Sequence, residues 1–198
     1  ADVRLRLGLA YLRAGQLDEG IDHLRRACRM NPDHLPARLA LAAGFDEKED
    51  PGRALEQLEI ANQVSPGEAP VLFCIAFCME RTNRPAEAAG YYRDAVEADG
   101  SFLPARERLA AVALLLDNLP EAIEQYEAMR AFEPHDPCIC ATLAQLYYRA
   151  GEYHRAIEEF ESAIALEPAN WALLDDEVEA LVAAGEIREA IERLHQLI

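Results

Sequence analysis

The 198-residue chain is 51% apolar and carries a formal net charge of −17, with a single lysine, Lys48, beside eighteen arginines. This balance excludes nucleic acid and anionic membrane surfaces as expected partners, because both need a basic face, and no apolar run approaches the roughly 18 residues of a membrane span. Five cysteines, an odd number, favour a reducing compartment and hence a cytoplasmic location.

The Arg- and Ala-rich, Lys-poor composition reads as bacterial. The chain starts at Ala1 inside a first predicted helix and stops at Ile198 within a last one, which reads as a piece of a longer protein. Its long-range order is set by proline. Pro32, Pro66, Pro134 and Pro168 lie on one 34-residue grid, and Gly100 holds the remaining grid point. A fixed period of this size marks repeated units that each bury an apolar face only against the next. With each grid residue at position 32, the units are 1–34, 35–68, 69–102, 103–136, 137–170 and a shortened 171–198.

In the first unit Arg4, Leu7, Gly8 and Tyr11 share one face of a helix, and Gly20 and Leu24 share a face of a second. The second unit repeats this with Leu41, Ala42 and Phe45, then Ala54 and Leu58. The third has Ile75, Ala76 and Met79, then Ala88 and Tyr92. The fourth has Leu109, Ala110 and, one residue late, Leu114, then Ala122 and Tyr126. The fifth has Leu143, Ala144 and Tyr147, then Ala156 and Phe160. The sixth keeps Ala190 and Leu194 but places Glu177 where the others have Leu or Ile, which predicts a solvent-facing terminal unit.

Small residues at positions 8 and 20 let paired helices approach closely, and large ones at 11 and 24 fill the space beside them. Between the helices, position 15 holds Gly15, Glu49, Asn83, Asp117, Gly151 and Gly185; all but Glu49 suit the left-handed backbone that ends a helix. Pro36, Pro70, Pro104 and Pro137 mark the starts of first helices, and Pro51, Pro85 and Pro120 those of second helices. Asp99-Gly100-Ser101 replaces one proline stop and marks the joint expected to bend most easily.

Arg4-x2-Leu7-Gly8-x2-Tyr11, and Ala156-x3-Phe160 followed by Pro168, resemble the tetratricopeptide repeat (TPR) family, and the pattern runs through the whole chain. The resemblance implies an all-α fold, a right-handed α-solenoid superhelix of helix-turn-helix repeats forming one array over 1–198. It also implies a protein–protein interaction scaffold that holds a peptide or helix of a partner in its concave groove. Carried over through the family's ligand-facing positions, the candidate groove residues are Leu5, Leu9, Leu39, Phe73, Phe77, Glu80, Arg81, Glu107, Arg108, Gln145, Tyr148 and Arg149.

Members that clamp a chaperone carboxylate carry Lys and Asn at positions 5 and 9, and this chain has neither there. Members with an asparagine ladder carry Asn at position 6, which is also absent. The remaining groove is apolar in the first three repeats and acidic in the sixth, so the expected ligand is an apolar peptide or amphipathic helix with basic residues toward the C-terminal repeats. Net charge runs from +1 in the first repeat to −5 in the sixth. That asymmetry leaves open a self-assembling array joined through its terminal repeats. A regulatory or substrate-delivery region of a larger, enzymatic protein is a further alternative.

No catalytic residues, cofactor or metal are expected. His135, Cys138 and Cys140 are the sharpest cluster, but positions 2 and 4 of a helix lie about 200° apart. Cys74 and Cys78 share a helical face and read as buried small apolar residues. No phosphate loop or hydrolase motif is present. Trp171 is expected to pack on the fifth repeat.

Overall fold

Among the described residues, 1–196, the computed structural model contains twelve α-helices and no strand. They form two compact units, Ala1–Ala105 and Arg106–Ile198, which meet inside one helix. The first unit holds α1 (Asp2–Arg13), α2 (Leu17–Met30), α3 (Leu35–Glu47), α4 (Pro51–Val64), α5 (Ala69–Arg81) and α6 (Pro85–Ala98), and it takes the first turn of α7 (Leu103–Leu115). The second holds the rest of α7, then α8 (Leu119–Phe132), α9 (Pro137–Ala150), α10 (Tyr153–Leu166), α11 (Trp171–Ala184) and α12 (Ile187–Gln196). Within the first unit each of α1 to α6 packs on the next, and from α8 to α12 the second unit does the same. Each unit is all-α, with two helices per grid period.

Local chemistry sets the helix ends. The predicted prolines stand in the first turn of α3, α4, α5, α6, α8 and α9, where no amide is needed. Asp50 caps α4 by accepting from the Arg53 amide at 3.1 Å, and Asp136 caps α9 by accepting from Cys138 at 2.8 Å. All six position-15 residues are left-handed, Glu49 included, with φ of 59°. Glu49 was the one residue not expected there. The packing of α3 on α4 imposes the conformation, at the Cβ cost that glycine avoids.

The close helix approach is clearest in the first repeat. A Cβ on Gly8 would stand 2.6 Å from Leu24 Cγ, and one on Gly20 would stand 2.7 Å from Leu12 Cδ2. Leu41, Ile75, Leu109 and Leu143 are at most 3% exposed, as are Leu24, Leu58, Tyr92 and Phe160. Full burial of such a side chain contributes about 1.5–3 kcal/mol. Leu7 of α1 departs from this, being 39% exposed.

Three expectations need correction. In the fourth repeat Ala113 itself fills position 11 and is fully buried, while Leu114 only packs against that core from the side. Trp171 does not pack on the fifth repeat; it is 62% exposed at the start of α11. Glu177 does not face solvent. It is fully buried on α11, where Arg193 of α12 supplies a countercharge. The joint at 99–101 is closed by the Asp99 carboxylate, which accepts from the Ser101 amide at 2.9 Å and from its hydroxyl at 2.7 Å.

Candidate binding grooves

The first unit carries an apolar trough between α3, α4 and α5, a hollow of about 220 Å³. Helix α5 places Phe73 and Phe77 one turn apart, and their rings lie nearly parallel at 13°, with centroids 6.5 Å apart. Leu39 and the exposed Ala43 of α3 form the facing wall. Phe73 also reaches inward. Its ring is 5.6 Å from Tyr92 and meets Phe102 edge-on at 5.4 Å. It therefore joins the trough to the small core of Ala69, Leu72, Ala95 and Ala105.

Charge is nearly absent from this surface. Asp46 is the one ionised residue lining it, and Arg81 binds that carboxylate across the two helices. Arg81 is thus held within the fold. Glu80 likewise accepts the hydroxyl of the fully buried Tyr92 at 3.1 Å. Cys74 and Cys78 also line the trough. Burial, reinforced by the Asp46 charge, raises both thiols, that of Cys78 to about 11. Both stay protonated at neutral pH and behave as small apolar groups.

The second unit carries a separate hollow of about 290 Å³ between α9, α10 and α11. Gln145, Tyr148 and Arg149 of α9 line it, facing Asp176 and Glu179 of α11. Gln145 Nε2 donates to Asp176 Oδ2 at 3.1 Å, and the Tyr148 ring lies 5.6 Å from that of Tyr153. This hollow mixes two aromatic rings, Tyr148 and Phe160, with two carboxylates, one arginine and one amide. Of the remaining candidates, Leu5 and Leu9 on α1 are half-buried, Glu107 is exposed and Arg108 is half-buried on α7. None of these four lines either hollow.

Cys138 is exposed and Cys140 buried, so the two thiols of that cluster lie in different environments. Among the described residues no group of three or more His, Cys, Asp or Glu side chains is arranged to hold a metal ion. No described helix is long and apolar enough to cross a membrane.

Family models described as tetratricopeptide repeat match residues 1–44, 80–137 and 137–170. The chain belongs to the TPR family. In sequence it is similar to the type IV pilus assembly protein PilF of Pseudomonas aeruginosa, 28% identical over 156 residues, which is 77% of this chain and 61% of that protein. It therefore spans about three-fifths of that curated relative. The solved P. aeruginosa PilF structure superposes with a TM-score of 0.68 at 24% identity, over 99% of this chain and 89% of that one. MamA superposes with a TM-score of 0.74 at 17% identity, over 84% of this chain and 91% of that one. YrrB, described as a TPR protein with an unusual peptide-binding site, gives 0.69 at 17% identity, over 87% and 89%. Likeness at these identities fixes the TPR fold. In TPR register, Leu39, Phe73 and Phe77 occupy positions 5, 5 and 9, where carboxylate clamps carry Lys and Asn. This TPR scaffold offers apolar surface there instead.

Proposed function

We propose that this TPR scaffold holds a partner protein through an apolar helix or peptide laid in the trough of its first unit. The observation that carries this reading is the trough's composition: two aromatic rings at helical spacing, facing Leu39 and Ala43, with the one lining charge already bound to Arg81. An amphipathic helix gains by burying its apolar face in such a groove, and an exposed apolar patch of this kind marks an interaction surface. The sequence likeness to PilF supports placing that partner in type IV pilus assembly.

A photo-crosslinking residue at exposed Ala43 tests the trough in cells. The expected product is a single partner joined through an apolar segment, and the joint Leu39→Asp and Phe77→Asp substitution should abolish it. A crosslink indifferent to those substitutions overturns the reading. The pathway is tested separately, by expressing the chain in P. aeruginosa lacking PilF and counting surface pili. Absence of pili at normal protein levels removes the pilus assignment and leaves the trough untouched.

A further inference from the structure

The first unit has a second hollow, about 690 Å³ in volume, a third of a turn round α3 from the trough. It is lined by Arg25 and Arg29 of α2, Arg38 of α3 and Arg53 of α4, with Glu56 the one acidic residue in its wall. Four arginines meet here in a chain whose net charge is −17. We propose that this hollow is a docking site for an acidic peptide segment of a partner, distinct from the apolar trough.

The arginines are organised rather than scattered. The Arg25 and Arg53 guanidiniums lie 5.3 and 5.9 Å from the centroid of the Phe45 ring, which is 4% exposed and forms a floor between them. Stacking on an aromatic face orients a guanidinium while leaving its N–H groups available in the plane. Arg38 is fixed from behind, Nε donating to the Pro32 carbonyl at 2.7 Å and Nη1 to Gln57 Oε1 at 3.4 Å. Among the described residues Arg25, Arg29 and Arg38 form no ion pair with a carboxylate of the chain, whereas Arg53 has Asp50 at 3.3 Å. Three cationic groups therefore remain without an acidic partner around one concavity.

Guanidinium forks match carboxylates and phosphates alike. The volume decides between a peptide and a lone anion. A cavity of about 690 Å³ with cations on three helices is far larger than one inorganic anion and has room for several side chains of one peptide segment. Several carboxylates spaced along a peptide engage Arg25, Arg29 and Arg38 together. The half-buried Cys28 in the wall takes no covalent part, since burial raises its thiol and keeps it protonated.

The test is fluorescence anisotropy with the intact chain and a labelled decapeptide alternating Glu and Ala, beside its Gln–Ala counterpart. The Glu peptide is expected to bind at least about tenfold more tightly, with affinity falling as salt rises. Arg25→Glu with Arg29→Glu, both at exposed positions, should weaken it a further tenfold or more while leaving the helical circular dichroism spectrum and the Ala43 crosslink unchanged. Equal binding of the Glu and Gln peptides overturns the proposal. So does displacement by inorganic phosphate at the concentration that saturates a single-anion site. Arginine-dependent self-association in sedimentation, with no peptide binding, would assign the hollow to a second copy of the chain and overturn it as well.

Discussion

Glu177 Oε1 lies 2.9 Å from Arg193 Nη2, joining α11 to α12 through a carboxylate that is fully buried. Among the described residues Arg193 is the one cation paired with Glu177, and it divides its charge with Glu161, 2.7 Å away. Burial therefore outweighs the single countercharge and raises the Glu177 carboxyl above its usual range. The equivalent residues of the other repeats are Leu or Ile. Glu177→Leu is expected to stabilise the second unit by about 1–3 kcal/mol at pH 7, because it removes the cost of desolvating a buried carboxylate while the partly exposed Arg193 keeps Glu161 as its partner. Urea unfolding monitored by circular dichroism checks this, and a lower midpoint for the variant refutes it.

Glu177 and Glu127 should respond to pH in opposite directions. Because the folded state raises the Glu177 carboxyl, its favourable contribution is fully present below the unfolded value near 4.5 and is lost as pH rises through the folded one. Glu127 is the reverse case. Its Oε1 accepts from the Tyr147 hydroxyl and from Arg155, each at 2.6 Å, and these bonds lower its carboxyl. Its contribution is present above pH 4.5 and lost on acidification through the folded value. Melting temperature against pH should therefore lose part of its acid-side slope in Glu127→Gln, while Glu177→Gln should reduce the decline as pH rises above 4.5. Parallel profiles for the two variants would contradict the assignment.

Gly8→Ala and Gly20→Ala should each destabilise the first unit by about 1–3 kcal/mol, despite the better helix propensity of alanine. Each added methyl would sit under 3 Å from a leucine side chain and 3.1 Å from the carbonyl of the facing glycine. Relief requires α1 and α2 to move apart, which opens the core at Leu24. Gly90→Ala, with nothing within 4 Å of its added Cβ, is the matched control and should be neutral or stabilising.

Glu49→Gly and Gly151→Ala form a second pair. Both positions are left-handed, at φ of 59° and 78°. Glu49→Gly should stabilise by a few tenths to about 1 kcal/mol, the relief of Cβ strain being partly offset by chain entropy. Gly151→Ala should cost about 1 kcal/mol, and since nothing lies within 4 Å of the added methyl, that cost is purely conformational. Thermal denaturation of the two variants, with changes of opposite sign, checks the argument.

Phe73→Ala and Phe77→Ala should separate stability from binding. Phe73 contacts Tyr92 and Phe102, so its removal should lower stability by about 2 kcal/mol or more. Phe77→Ala should destabilise less and weaken capture at Ala43 more. If the two variants behave alike in both measurements, the division of labour between the rings is wrong.

The proline grid, the left-handed residues at position 15 and the small residues at 8 and 20 were readable in sequence. Each acts within one helix hairpin or at a fixed offset of the repeat, so local backbone chemistry plus one period determined the helices, their ends and the TPR family. Leu39, Phe73 and Phe77 could be placed on one surface for the same reason. Tertiary packing alone decided what each charge does. Whether Glu177 faced water depended on α12 lying over α11, and Arg81 was assigned to a ligand until α3 brought Asp46 to it. The arginine hollow was missed because its four side chains come from three helices and from different positions in the repeat. Only the signal of a single positive repeat hinted at it, since net charge records how many cations a segment holds and not whether packing turns them toward one point.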